Sequence, residues 1–350
     1  MTATTPADAA IKPASVSDGA RRLERRNSGL DLLRAAACVL VTIFHLRTVL
    51  GVDFGPLNKI IEGGDSGVYV FFALSGYLLY RPFVRGDVDL GDYALKRAAR
   101  ILPGYFVALV ALLALTQNRL PLEHPLPYLT MTASYNIGLR AFLGNAWTLS
   151  AELIFYALLP VFARVAAGRE IRRLGIVALV SIVASLIERL TYGPGNEWLT
   201  GAFPFVAYAF VPGMLLAVVE IKHPSVFARL SAPWVPIVGL TGILVETQLR
   251  AWPLALGAGI GTPLLMGWLL SVRVPFARAL SFAGGASYAL YLWHKDLFIS
   301  FGVVGLPIAI VGSAMSWALI ERPILDRAHA LAARRRLAVK PTSVVTAAPL

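Results

Sequence analysis

Apolar runs of membrane-spanning length recur from one end of this chain to the other, and no other feature constrains it as strongly. A helix crossing a bilayer needs roughly 20 mostly apolar residues. Runs of that kind cover 30–50, 65–83, 101–117, 145–163, 174–190, 202–219, 233–249, 253–271, 279–299 and 302–320. Only 15% of the residues are charged and the mean hydropathy is +0.67. A soluble fold of 350 residues built from this composition would have too few polar groups to face water. The sequence therefore predicts an all-α, polytopic membrane bundle of about ten helices in contact with lipid. The single cysteine, Cys38, leaves no internal disulfide, iron–sulfur cluster or cysteine-based zinc site. No metal or resident cofactor is expected.

A formal charge of +12 is common in proteins that bind nucleic acid, but its placement here argues otherwise. When the gaps between runs are assigned alternately to two sides, one side collects 25 of the 32 Lys and Arg residues and the other 7. The rich side includes Arg34, Arg81, Arg97, Arg100, Arg164, Arg173, Arg278 and Arg322. The positive-inside rule then predicts a multi-pass protein of the cytoplasmic membrane with both termini in the cytoplasm. The expected organisation is a disordered basic tail over 1–27, one membrane domain over 28–325 and a second basic tail over 326–350.

Ionisable side chains at membrane depth are costly and usually face a bundle interior. In the first run, Arg34 and His45 are 11 residues apart, which returns the helix to within about 20° of the same face. They are about 16 Å apart along the axis. Asp31, Cys38 and Thr42 lie on the same stripe, so a cation at one end and an imidazole near the other share a polar column. Glu152 in the fourth run and His294 in the ninth fall at a depth similar to that of His45. A carboxylate beside an imidazole would fix its tautomer and raise its basicity, which suits proton transfer. Tyr288, Tyr291 and Trp293 read as interface-belt aromatics. Glu188 and Glu246, near helix ends, read as solvated.

Several of these segments together resemble the acyltransferase 3 family of integral-membrane acyltransferases. They are Leu30-Asp31-Leu-Leu-Arg34 with His45, Gly67 through Tyr77, Lys96-Arg97-Ala-Ala-Arg100-Ile-Leu-Pro103, Trp147-Thr-Leu-Ser-Ala-Glu152 with Phe155-Tyr156, Ser287-Tyr288 through His294, and Glu321-Arg-Pro323. The resemblance implies a bundle of about ten helices that moves an acyl group, acetyl by family habit, from cytoplasmic acyl-CoA. The acceptor it implies is a hydroxyl of a sugar, glycolipid, polysaccharide or natural product. It also implies essential roles for Arg34 and His45, a glutamate at Glu152 and a basic pair at Arg97 and Arg100. Thr148 stands where the family usually has serine.

Residue chemistry and resemblance combine into one expectation. The phosphates of CoA dock among Arg34, Arg97 and Arg100, and the pantetheine arm runs up the polar stripe of the first helix. His45 then takes the proton of the acceptor hydroxyl, oriented by Glu152. The oxyanion donor or acceptor contact is left open among Ser75, Tyr77, Ser150 and His294. Direct transfer is preferred, with an acyl-imidazole on His45 as the other route. The rival reading is a transporter or flippase using the buried His and Glu as a proton relay.

Overall fold

The structure is a computed structural model that describes residues 16–192, 201–248 and 256–339, and among them every regular element is helical. This follows from the composition, because lipid offers no partner for backbone N–H and C=O groups and a helix satisfies them internally. The principal helices are α1 (Val16–Leu50), α2 (Gly67–Arg85), α3 (Leu90–Leu115), α4 (Trp147–Ala166), α5 (Glu170–Tyr192), α6 (Val211–Lys222), α7 (Val235–Gln248), α8 (Leu256–Ser271), α9 (Ala277–Phe301), α10 (Gly305–Ser316) and α11 (Arg322–Val339). A π-helical turn, Trp317–Glu321, joins α10 to α11.

Among the described residues, seven stretches are long and apolar enough to cross a membrane, or eight if one bent pair counts as a span. The runs at 233–249, 253–271 and 302–320 account for the difference from ten. The first belongs to the bent pair, in which Pro224–Ser231 and Val235–Val245 meet at 81°. The second contains a short apolar helix, Gly259–Ser271. The third is one limb of a hairpin, in which Gly302 adopts φ +60° and α10 packs back against α9.

The supposed tail over 1–27 is helical from Val16 onward, and α11 continues through the supposed tail after 325. Residues 1–15 and 340–350 lie outside the described residues, as does the side chain of Glu246. Glu188, expected to be solvated, is buried.

Two seams organise the bundle. Along one, α1 lies against α9 over much of its length. Cys38 Sγ donates to the Ser287 carbonyl at 3.3 Å and Thr42 Oγ1 to the Cys38 carbonyl at 2.8 Å. Along the other, α2 and α6 touch backbone to backbone. A Cβ at Gly213 would stand 1.8 Å from the Ala73 carbonyl oxygen, and one at Gly76 would stand 2.1 Å from that of Phe210. Only residues without a side chain permit that approach, as at close helix contacts in lipid. One end of this seam is tied by an ion pair, with Arg81 Nε and Nη2 donating to Glu220 at 2.6 and 2.9 Å.

Candidate active site

A cavity of about 110 Å³, opening into a wider mouth, lies among α1, α2, α3, α4 and α9. Helical periodicity built its longest wall. Val68, Phe71, Phe72, Ser75, Leu78 and Leu79 of α2 recur every three or four residues, so they share one face and all line the space. The 11 steps from Val68 to Leu79 make the cavity about 16 Å long on that helix.

Arg34, Arg97 and Arg100 enter this cavity from two helices, and each is held by a different kind of partner. Arg34 Nη1 donates to Asp31 one turn earlier at 3.2 Å. The Arg97 guanidinium lies over the Tyr156 ring at 5.8 Å. Arg100 stands against two rings, Tyr288 at 5.6 Å and Trp317 at 5.1 Å, and its Nη2 reaches the Gly285 carbonyl at 3.4 Å. Among the described residues Glu152 is the only acidic one lining the cavity, against three arginines, so that lining carries a formal +2. Such a surface suits an anion, and guanidinium forks suit phosphate oxygens in particular.

The structure separates two residues that the sequence reading paired. Glu152 accepts a short hydrogen bond from Ser75 Oγ within the cavity. Among the described residues no hydrogen bond joins it to His45. The partner of His45 is His294: Nε2 of His294 lies 3.0 Å from Nδ1 of His45, with ring centroids 4.9 Å apart. Depth along the helix axes made Glu152 and His45 look adjacent, but rotation about those axes points them to different neighbours. His294 is completely buried, whereas His45 keeps part of its surface exposed.

The remaining candidates divide in the same way. Ser75 lines the cavity. Tyr77, two residues on and about 200° around the helix, faces α6, where its hydroxyl donates to Glu220 at 2.8 Å. Ser150 is buried against the segment before α4, bonded to Ser134 Oγ at 2.6 Å and to the Met131 carbonyl at 2.7 Å. Neither Tyr77 nor Ser150 lines the cavity.

The polar stripe of α1 does not line this cavity between its ends: Cys38 is buried on the Ser287 carbonyl of α9 and Thr42 is buried on the Cys38 carbonyl of its own helix. The open route follows α2 instead. At its far end the rings of Phe71 and Tyr291 stand 5.8 Å apart, and Tyr291 is 6.2 Å from His294. The cavity thus stops one ring short of the histidine pair.

Tyr156, Tyr288 and Tyr291 are lining residues that sequence reasoning missed. Aromatics near helix ends suggest an interface belt, and the spacing that turns these three inward also occurs in ordinary packing. Glu321 belongs to the motif nearest the C-terminus. It is buried on the π-helical turn, accepts from Ser316 Oγ at 2.7 Å and meets Tyr288 over Gly104. A second space of about 400 Å³, almost wholly apolar, lies between α3 and α4 and shares Arg97, Ile101 and Tyr156 with the first.

Comparison with known proteins places these features in context. A family model described as an acyltransferase domain matches residues 27–320. The chain is 28% identical over 301 residues to the exopolysaccharide production protein ExoZ of Rhizobium meliloti (strain 1021), covering 76% of this chain and 91% of that protein. It is 27% identical over 361 residues to nodulation protein 10 of Rhizobium leguminosarum bv. viciae, covering 88% and 96%. It is 24% identical over 327 residues to the O-acetyltransferase OatA of Staphylococcus aureus (strain NCTC 8325 / PS 47), covering 80% of this chain and 52% of that protein. No solved structure matches the chain.

Proposed function

Because the chain belongs to the acyltransferase 3 family, and is therefore a multi-pass membrane acyltransferase, we propose that it moves an acetyl group from cytoplasmic acetyl-CoA to a hydroxyl of a polysaccharide or its lipid-borne precursor. The observation that carries this reading is the cavity itself. Three guanidinium groups gather in a space that runs about 16 Å along α2 toward the histidine pair. An extended pantetheine arm is on the order of 15–20 Å long by chain geometry. With the CoA phosphates among Arg34, Arg97 and Arg100, the thioester arrives at the Phe71–Tyr291 pair. Displacing those two rings exposes it to His45.

The acceptor approaches from the opposite side, where His45 is partly exposed. Relatives named for exopolysaccharide production and O-acetyl transfer support a carbohydrate acceptor. In the reaction, His45 removes the proton of the acceptor hydroxyl while the oxygen bonds to the thioester carbonyl carbon. The tetrahedral intermediate collapses by breaking the carbon–sulfur bond, and the proton passes from His45 to the departing CoA thiolate. The products are the ester and CoA with a free thiol. Glu152, held by Ser75, fixes the shape of the cavity wall and is not the partner of the base.

The distribution of Lys and Arg, 25 on one side and 7 on the other, supports an orientation in which the Arg34 end and both termini face the cytoplasm. Family membership and the anion-suited cavity both favour transfer chemistry over the transporter reading.

The test uses the full chain, purified and reconstituted in lipid, with acetyl-CoA labelled on the acetyl group and a bacterial exopolysaccharide as acceptor. Alkali-labile label on the polysaccharide, lost in His45→Ala, is the expected result. Incorporation that is equal with and without a functional His45 would sink the assignment of the base. A complete absence of incorporation from acetyl-CoA, with label accepted from another acyl donor, would sink the donor.

A further inference from the structure

The histidine pair carries information that the family assignment does not. His294 Nδ1 lies 2.8 Å from the Leu290 carbonyl oxygen, four residues earlier on α9. A carbonyl oxygen only accepts, so this ring nitrogen must carry a proton. In neutral His294 the proton is then spent on Nδ1, and Nε2 presents a lone pair. That lone pair faces His45 Nδ1 at 3.0 Å. The same Nδ1 of His45 also lies 3.0 Å from the Val41 carbonyl, again one turn back on its own helix. Two acceptors therefore converge on one nitrogen, and only a protonated Nδ1 satisfies both.

We propose that His294 is a positioning residue that locks the proton of His45 on Nδ1 and so reserves Nε2 of His45 as the basic atom. This rests on the reading of His45 as the general base and specifies which of its nitrogens does the work. The opposite tautomer would set a lone pair on Nδ1 against two others, one from Val41 and one from His294. A neutral imidazole has one donor and one acceptor nitrogen, so fixing the donor fixes the acceptor.

The arrangement has a second consequence. When Nε2 takes the hydroxyl proton, His45 becomes an imidazolium, and its Nδ1–H already points at the His294 lone pair and the Val41 carbonyl. The positive charge forms beside two acceptors placed in advance. In hydrolases with a histidine base, a carboxylate performs this orienting task. Here an uncharged ring does it, and the chain Leu290 carbonyl, His294, His45 runs from the backbone of α9 to the reacting atom. Gly305 and Gly312 of α10, which sit tight against Leu297 and Trp293, pack α9 closely beside His294.

The experiment combines two substitutions with a measurement on the unmodified protein. Gln at 294 places an amide oxygen near the position of the missing Nε2 and keeps an acceptor for His45. Leu removes the acceptor. His294→Gln should keep kcat within about threefold, whereas His294→Leu should lose about 10–100-fold in kcat with the KM for acetyl-CoA unchanged. In the reconstituted wild-type protein, ¹⁵N signals of His45 should be those of an Nδ1-protonated ring, and His294→Leu should convert them to a tautomer mixture. Full kcat in His294→Leu, or an Nε2-protonated His45 in the wild type, would overturn the proposal. Should the Leu variant fail to fold, the wild-type signals decide alone. Retained activity in His45→Ala is a different result: it removes the base itself while the tautomer of His45 is still read directly.

Discussion

The two ends of the cavity are built on opposite plans. At the cationic end three arginines are fixed by three unlike devices: a carboxylate one turn away for Arg34, a single ring for Arg97, and two rings with a carbonyl for Arg100. Losing one guanidinium leaves two others in place. At the histidine end the contacts run in series, each nitrogen having its own partner, so losing one member changes the state of the next. Binding of a large polyanion tolerates shared responsibility, because its energy is a sum over contacts. Proton transfer does not, because it needs one lone pair on one atom.

That contrast fixes what each substitution should do. The largest effect belongs to His45→Ala, which should lower kcat by about 10²–10⁴-fold, the range for loss of a general base, while acetyl-CoA still binds by titration calorimetry. A loss of donor affinity instead would erase the division between the two ends. Next comes Arg34→Ala, which removes charge-assisted bonds worth about 1.5–3 kcal/mol and should raise KM for acetyl-CoA by about 10–100-fold with kcat little changed. Steady-state kinetics separate the two parameters, and a fall in kcat alone would show that Arg34 serves the chemistry.

A smaller change is expected for Trp317→Leu. It deprives Arg100 of one of its two rings, worth about 0.5–1 kcal/mol, and should raise KM by only about two- to fivefold. The smallest effect on turnover belongs to Tyr77→Phe, whose hydroxyl serves Glu220 rather than the cavity. It should leave both kinetic parameters as they are and cost about 1 kcal/mol of stability, read as a lower thermal midpoint in detergent. Impaired turnover in Tyr77→Phe would place that hydroxyl back in the reaction.

Much of the site could be read from periodicity, and its errors also follow from periodicity. Arg97 and Arg100, three apart, share a face and do enter one cavity together with Arg34. Ser75 and Tyr77, two apart, cannot share a face, and neither can Ser150 and Glu152; in each pair one member lines the cavity and the other turns away. That much was available before any coordinates. The partner of His45 was not. Depth along a helix is one coordinate of three, and the rotation of α4 and α9 about their axes is set by packing among residues far apart in sequence. The same limit hid the route of the cavity. A polar stripe on α1 looks alike whether it borders a tunnel or is closed by a neighbour's carbonyl, as Cys38 is closed by Ser287. The helices themselves were the most legible feature, because lipid leaves the backbone few other choices. The bent pair and the hairpin escaped notice because hydropathy records where a chain is greasy and not where it turns.

The glycine contact between α2 and α6 bears on how a bulky nucleotide thioester can come and go. With backbone laid on backbone at Gly76 and Gly213, the helix that carries Ser75 and Phe71 is packed tightly on α6, leaving its side chains and not its backbone to move. The facing wall is different in kind: α3 and α4 are parted by an oily cleft and spanned by the Tyr93 hydroxyl, which donates to the Tyr156 carbonyl at 3.0 Å. Any backbone give that lets the nucleotide in and out is then expected on the flank on which Arg97 rides, while on the α2 and α9 side only the Phe71 and Tyr291 rings need turn.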